Sequence, residues 1–146
     1  MSDLAIERAT PDDEPSMLAL LAASGLPTAG LREHLDSAYI ARRGARVVGT
    51  AALEVYAGGA LLRSVAVDKT ERGGGLGRLL TERAIGEADA RELAAVYLLT
   101  TTAEEYFTRF GFSIVAREQV PDSLRASVEF QSACPASATV MRKTLR

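Results

Sequence analysis

The stretch LLRSVAVDKTERGGGLGRLL, residues 61–80, constrains the fold more than any other part of this chain. LLRSVAV is short, aliphatic and β-branched, and it reads as a strand. The segment GLGRLLTERAIGEADA reads as an amphipathic helix, with Leu76, Leu79, Leu80, Arg83 and Ala84 setting its register. AVYLLT, 95–100, is the next strand. A strand, a helix and a strand in this order predict a right-handed crossover unit. A cluster of glycines sits where its first strand hands over to its helix.

The flanking segments place that unit in a larger sheet. LAIERA, 4–9, is a strand, and Thr10 caps a helix that starts with Pro11, Asp12 and Asp13. GLPTAG, 25–30, is a loop, and LREHLD begins a short second helix. Residues 38–43 and 46–56 read as strands joined near Gly44, and Gly58–Gly59 suits a hairpin turn into 60–67. TAEEYFTRF, 102–110, reads as a helix with Thr102 as cap and Glu105 completing a capping box. Gly111 ends it, a strand runs from Phe112 to about Ala116, Pro121–Arg125 forms a helical turn, and SATVMRK closes the sheet. The expected fold is one α/β domain over residues 1–146, with a central mixed, mostly antiparallel sheet flanked by helices.

Composition narrows the functional classes. A net charge of −2 gives no steering toward nucleic acid or an anionic membrane. No apolar run approaches a spanning helix, and MSDLAIERAT lacks the pattern of a secretion signal. One cysteine, Cys134, and one histidine, His34, argue against an intrachain disulfide and a transition-metal centre. A cytoplasmic location is expected.

The glycines fail two phosphate-binding patterns. GxGxxG would need glycine at 78, where Arg78 stands, and no alignment gives GxxxxGK followed by Ser or Thr. A third pattern fits: Arg72, two residues, Gly75, one residue, Gly77. At a helix start the amides of 73–78 would meet an anion through orphan donors and the positive end of the helix dipole. Arg72 and Arg78 could add charge-assisted contacts. The same string also suits a glycine-softened turn with no ligand.

With this pattern, the chain resembles the GNAT N-acetyltransferases over nearly its full length. Arg72–Gly75–Gly77 matches their pyrophosphate motif, and FTRFGF, 107–112, looks like their late helix–strand signature. The resemblance implies acetyl-CoA as cosubstrate. It implies a cofactor site of Val65, Ala66 and Val67 on the strand, Arg72, Gly73, Gly74, Gly75, Leu76, Gly77 and Arg78 in the loop and helix start, and Thr100. GLPTAGL, LEVYAGGALLRSVAV, YLLTTTAEEYFTRFGF and SVEFQSACPASATVM look like the small acetyltransferases associated with arsenic-resistance genes, which are similar in turn to N-acetylglutamate synthase domains. The acceptor implied is a small amine, an amino acid or an amino-acid-like arsenical. A homodimer is expected on the same resemblance.

Acetyl transfer to an amine needs a base, a donor for the developing oxyanion and an acid for the departing thiolate. Glu54, in the apolar strand LEVYA, is either the base or a solvent-facing strand residue. Tyr56 shares its strand face. Arg63 interrupts LLRSVAV on the face of Val65 and Val67, so it grips a substrate carboxylate, forms a structural ion pair or reaches solvent. The family's acid is a tyrosine four positions before the Gly of the GF pair, and Phe107 stands there. Tyr106 is adjacent, and adjacent helix residues point about 100° apart. It is an acid only if the helix is rotated, and otherwise a half-buried aromatic. Leu26 and Thr28, and Ser127, Glu129 and Ser132, fall in segments that shape the acceptor pocket in this family. His34 reads as a surface residue and Arg109 as solvated charge. Phe107 also motivates a second reading, a non-catalytic sensor of acetyl-CoA or an amino acid.

Overall fold

The computed structural model describes residues 4–127, 130–131 and 137–146. Glu129, Ser132 and Cys134 lie outside the described residues. Seven strands form one sheet in the order β1-β2-β3-β4-β5-β7-β6. They are β1 (Leu4–Arg8), β2 (Ala38–Arg43), β3 (Arg46–Tyr56), β4 (Gly59–Val67), β5 (Ala95–Thr100), β6 (Ser113–Ile114) and β7 (Thr139–Thr144). All neighbours are antiparallel except β4 and β5, which the crossover helix α2 (Leu76–Ala90) joins in parallel. The mixed, mostly antiparallel sheet expected from the sequence is therefore the observed one.

Helices cover both faces. α2 and α3 (Glu104–Thr108) pack on one face, where Leu76, Leu80, Ala84 and Ala88 meet Val48, Leu53, Leu62 and Leu98. These α2 residues recur every four positions, which is one stripe of a helix. Leu79, assigned to that stripe from the sequence, is 43% exposed because its direction falls outside it. The opposite face is divided. α1 (Glu14–Ala23) and the 3₁₀ segment Arg32–Ser37 cover β2–β4, burying Met17, Leu21, Leu31 and Leu35. α4 (Asp122–Arg125) covers the other half with Leu124 and Val120 against Leu61 and Tyr97.

Two local expectations differ from the structure. α3 begins one residue later than a Thr102 cap would place it, after Ala103, whose amide donates to Thr100 Oγ1 at 2.9 Å. The strand expected from Phe112 is reduced to Ser113–Ile114, with Phe112 itself turned into the core.

Candidate active site

Parallel β4 and β5 stay together for two residue pairs, Ala60↔Val96 and Leu61↔Tyr97. Beyond Leu61 they part. The cause is visible on β4: its register with β3 jumps from Ala52↔Arg63 to Thr50↔Ala66, so Ser64 and Val65 together oppose Ala51. This is a β-bulge, which bends and twists the strand that carries it. Ser64 adopts φ +60°, and buried Thr50 donates to its carbonyl at 2.6 Å. The separated strands leave a cleft of about 1220 Å³, walled by Leu62–Val67, Leu98–Ala103, the start of α2, α3 and the loop at Gly25–Pro27. Along it β4 has no pairing with β5.

One end of the cleft is the glycine-rich turn. Gly73 and Gly75 hold φ +89° and +82°, a region that favours glycine, and an added Cβ at either would meet nothing within 4 Å. Gly75 caps α2 with no side chain, and the first turn of α2 carries no acid. Its first amides are thus left for an external anion, with the helix dipole in the same sense. Arg72 is exposed beside it, its Nε donating to Val67 O at 3.1 Å. The nearby acid Glu71 is turned to Arg43, which binds it through Nε at 2.7 Å and Nη2 at 3.0 Å. Those hydrogen bonds hold the Glu71 carboxyl below its usual range. Of the loop residues expected here, Arg72, Gly73, Gly75, Leu76, Gly77 and Arg78 line the cleft, and Gly74 does not. Thr100 lines it too, with its hydroxyl committed to Ala103.

The other end holds a buried ion pair. Arg63 Nη1 lies 2.8 Å from Glu54 Oε2, and neither side chain is more than 1% exposed. The solvent-facing alternative for Glu54 is therefore excluded, and its expected neighbour Tyr56 does share its face, donating to Oε1. The bulge corrects the face of Arg63. Because an extra residue enters between 63 and 66, Arg63 aligns with Ala66, while Val65 and Val67 turn toward the α2 side. Arg63 instead faces the 25–30 loop and donates to Ala29 O at 2.7 Å, Pro27 O at 3.3 Å and Ser64 Oγ at 3.0 Å. It lines the cleft with Leu26 and Pro27, whereas Glu54 lies behind it.

α3 supplies the third wall. Phe107 packs edge-on against Phe112 in the core and also touches the cleft. Tyr106 is half-buried and faces the cleft. Its hydroxyl is buried and has no hydrogen-bond partner among the described residues.

Several expected residues lie elsewhere. Thr28 is exposed, and neither it, Tyr56 nor Ser127 lines the cleft. Ser127 is buried at the end of α4, where its Oγ accepts from the Phe130 amide. Four residues were missed. His34, read as a surface residue, is half-buried with Nε2 3.7 Å from Glu54 Oε1. Arg109, read as solvated charge, lines the cleft. Thr50 and Ser64 set the bulge. None of the four has a local signal, since each acquires its role from a partner on another element or from the bulge.

No group of three His, Cys, Asp or Glu residues that could hold a metal occurs among the described residues. No helix among them is long and apolar enough to cross a membrane.

The fold resembles N-acetylglutamate synthase from Neisseria gonorrhoeae, complexed with coenzyme A and N-acetyl-glutamate, with a TM-score of 0.84 and 21% identity. All of this chain is covered in that match, but it spans only 36% of the synthase chain. Rv2747 from Mycobacterium tuberculosis, in complex with CoA, matches with a TM-score of 0.81 and 24% identity over 97% of this chain and 99% of its own. A GNAT-family acetyltransferase from Staphylococcus aureus gives 0.76 and 16% over 98% and 99%. No curated protein sequence matches significantly. The family model for the acetyltransferase (GNAT) domain matches residues 34–114, more than half of the chain, from within the Arg32–Ser37 segment to the end of β6. The chain belongs to the GNAT acetyltransferase family.

Proposed function

We propose that this protein is an N-acetyltransferase that moves the acetyl group of acetyl-CoA to the amine of an amino acid or an amino-acid-like arsenical. The observation that carries the reading is the continuity of one cleft. It joins an uncapped helix start, an open strand edge and a buried arginine facing an acceptor loop.

The cosubstrate supplies an acetyl group activated as a thioester. Arg72, Arg78 and the amides of Leu76 and Gly77 would hold its diphosphate. The open edge at Val65–Val67 would receive the amides of its pantetheine arm, and a backbone N–H at Val65 would face the carbonyl oxygen as charge develops. Arg63, its charge matched by Glu54, orders the Pro27 and Ala29 carbonyls on the wall that the acceptor would face. Glu54 holds Arg63 in place and is the candidate receiver of the amine proton. The similar N-acetylglutamate synthase is complexed with coenzyme A and N-acetyl-glutamate, which favours an amino-acid acceptor here.

A CoA-release assay tests this with glutamate, other amino acids and amino-acid-like arsenicals as acceptors. One molecule of CoA released per acceptor consumed is the expected result. CoA binding with no release across the panel would favour a sensor instead.

A further inference from the structure

We infer that the Ser64 hydroxyl is a second donor to the thioester carbonyl oxygen as charge develops on it, beside the Val65 amide. This rests on the acetyl-transfer reading above.

Among the described residues only Ser64 and Glu92 hold a side chain at positive φ, and Glu92 is an exposed residue just past the end of α2. Ser64 sits inside the sheet at φ +60°, where glycine would be free of strain. Two bonds hold it there. Thr50 donates to its carbonyl at 2.6 Å, and Arg63 Nε donates to its Oγ at 3.0 Å. A strained residue fixed this firmly points to a use for its side chain. The hydroxyl has one proton to give and two lone pairs. Arg63 occupies one lone pair, and no described residue accepts the proton. The Arg63 side chain has no exposure, whereas Ser64 is half-buried and lines the cleft. Ser64 Oγ is joined to the Val65 nitrogen through only Cβ, Cα and the carbonyl carbon of Ser64. Covalent geometry therefore keeps the two within about 5 Å, and one ligand oxygen can take a bond from both. The guanidinium N–H behind the hydroxyl polarises it and makes it the stronger donor, which suits an oxygen that gains negative charge. As the amine lone pair forms the C–N bond, the carbonyl π pair moves onto that oxygen. It returns when the C–S bond breaks and its electrons leave on sulfur. The nitrogen gives up one proton and the thiolate takes one. The Ser64 O–H stays intact and contributes a hydrogen bond that is strongest while the oxygen is charged.

Two variants test this, Ser64→Ala and Ser64→Gly. Both delete the hydroxyl, and the glycine also relieves the strained backbone, so a loss shared by both does not come from a weakened fold. Steady-state CoA release is measured with the best acceptor of the panel above, and CoA binding by calorimetry. In both variants kcat should fall roughly a hundredfold, as when one oxyanion donor is removed. CoA affinity and KM for the acceptor should stay near wild type. An intact kcat with a raised acceptor KM would make the hydroxyl an acceptor contact and overturn the inference. A matching loss of CoA affinity would assign it to the cosubstrate's ground state, and full activity in either variant would remove it from the reaction. A wild type that binds CoA yet releases none from acetyl-CoA with any acceptor would overturn the acetyl-transfer reading itself, and the inference with it.

Discussion

Arg63 and Glu54 meet at 2.8 Å inside the sheet, and the guanidinium then reaches out to the carbonyls of Pro27 and Ala29. One buried pair thus ties two central strands to the loop that walls this end of the cleft. The loop has neither helix nor strand structure between Gly25 and Leu31, so these bonds are a principal constraint on its shape.

Removing one partner of this pair should be severe. Glu54→Ala or Arg63→Ala leaves a buried charge without its counter-ion, and urea unfolding should show a loss of roughly 3–5 kcal/mol. The double change to Leu at both positions should recover much of it. A loss below about 1 kcal/mol in either single variant would mean that the charges are not confined as the structure places them.

Glu54→Gln separates two roles. It keeps the shape and a hydrogen-bond acceptor while removing the charge. If Glu54 acts by holding Arg63, kcat/KM for the acceptor should fall at least tenfold with the pH profile unchanged in form. Loss of the acidic limb of that profile would identify Glu54 as the base.

Neighbouring glycines should respond differently. Gly75→Val places a side chain at φ +82° on the cap facing the proposed diphosphate site, and CoA binding should weaken tenfold or more. Gly74→Ala has no such backbone, and its Cβ would meet Glu71 O at an ordinary 3.7 Å. CoA titration should find it close to wild type.

Thr50→Val tests the bulge. It keeps the volume of the buried side chain and deletes the hydroxyl that donates to Ser64 O. Stability should fall by about 1–3 kcal/mol, the usual cost of orphaning a buried carbonyl. Turnover should fall further than cosubstrate binding, because the bulge lies at the end of the cleft proposed for acetyl transfer. Unaltered turnover would detach the bulge from catalysis.

Asp13 gives an acid-sensitivity prediction. Burial raises its pKa, but bonds from Arg42 (Nη2 at 2.7 Å) and from the Thr10 amide (2.9 Å) outweigh burial and leave it below the ordinary 3.8. The folded chain then holds fewer protons than the unfolded chain as pH drops past that value. The stability contributed is complete above the ordinary pKa and is lost as pH falls through the lowered one. Asp13→Asn should be less stable at neutral pH, by about 1 kcal/mol for a weakened cap, and its unfolding midpoint should depend less on pH below 4. An identical acid limb in both proteins would exclude Asp13 as a source.

The sequence by itself determined the element order, the strand-loop-helix unit and the pattern Arg72–Gly75–Gly77. These are local properties: a period of two or four, a glycine run and a turn signal act within a few residues. It also paired Glu54 with Tyr56 on one face, since alternation along a regular strand needs no partner. Tertiary structure decided the rest. The bulge at Ser64 arises from the pairing of β4 with β3 and a bond from Thr50, and nothing in LLRSVAV announces it. That one inserted residue turned Arg63 away from Val65, split β4 from β5 and made the cleft. Likewise the hydroxyl of Tyr106 gained its place only when α3 packed across Gly77, and His34 met Glu54 only when the Arg32–Ser37 segment folded over β3. Local periodicity could fix which residues form strands and helices, but a contact between distant segments exists only once the sheet has set their positions.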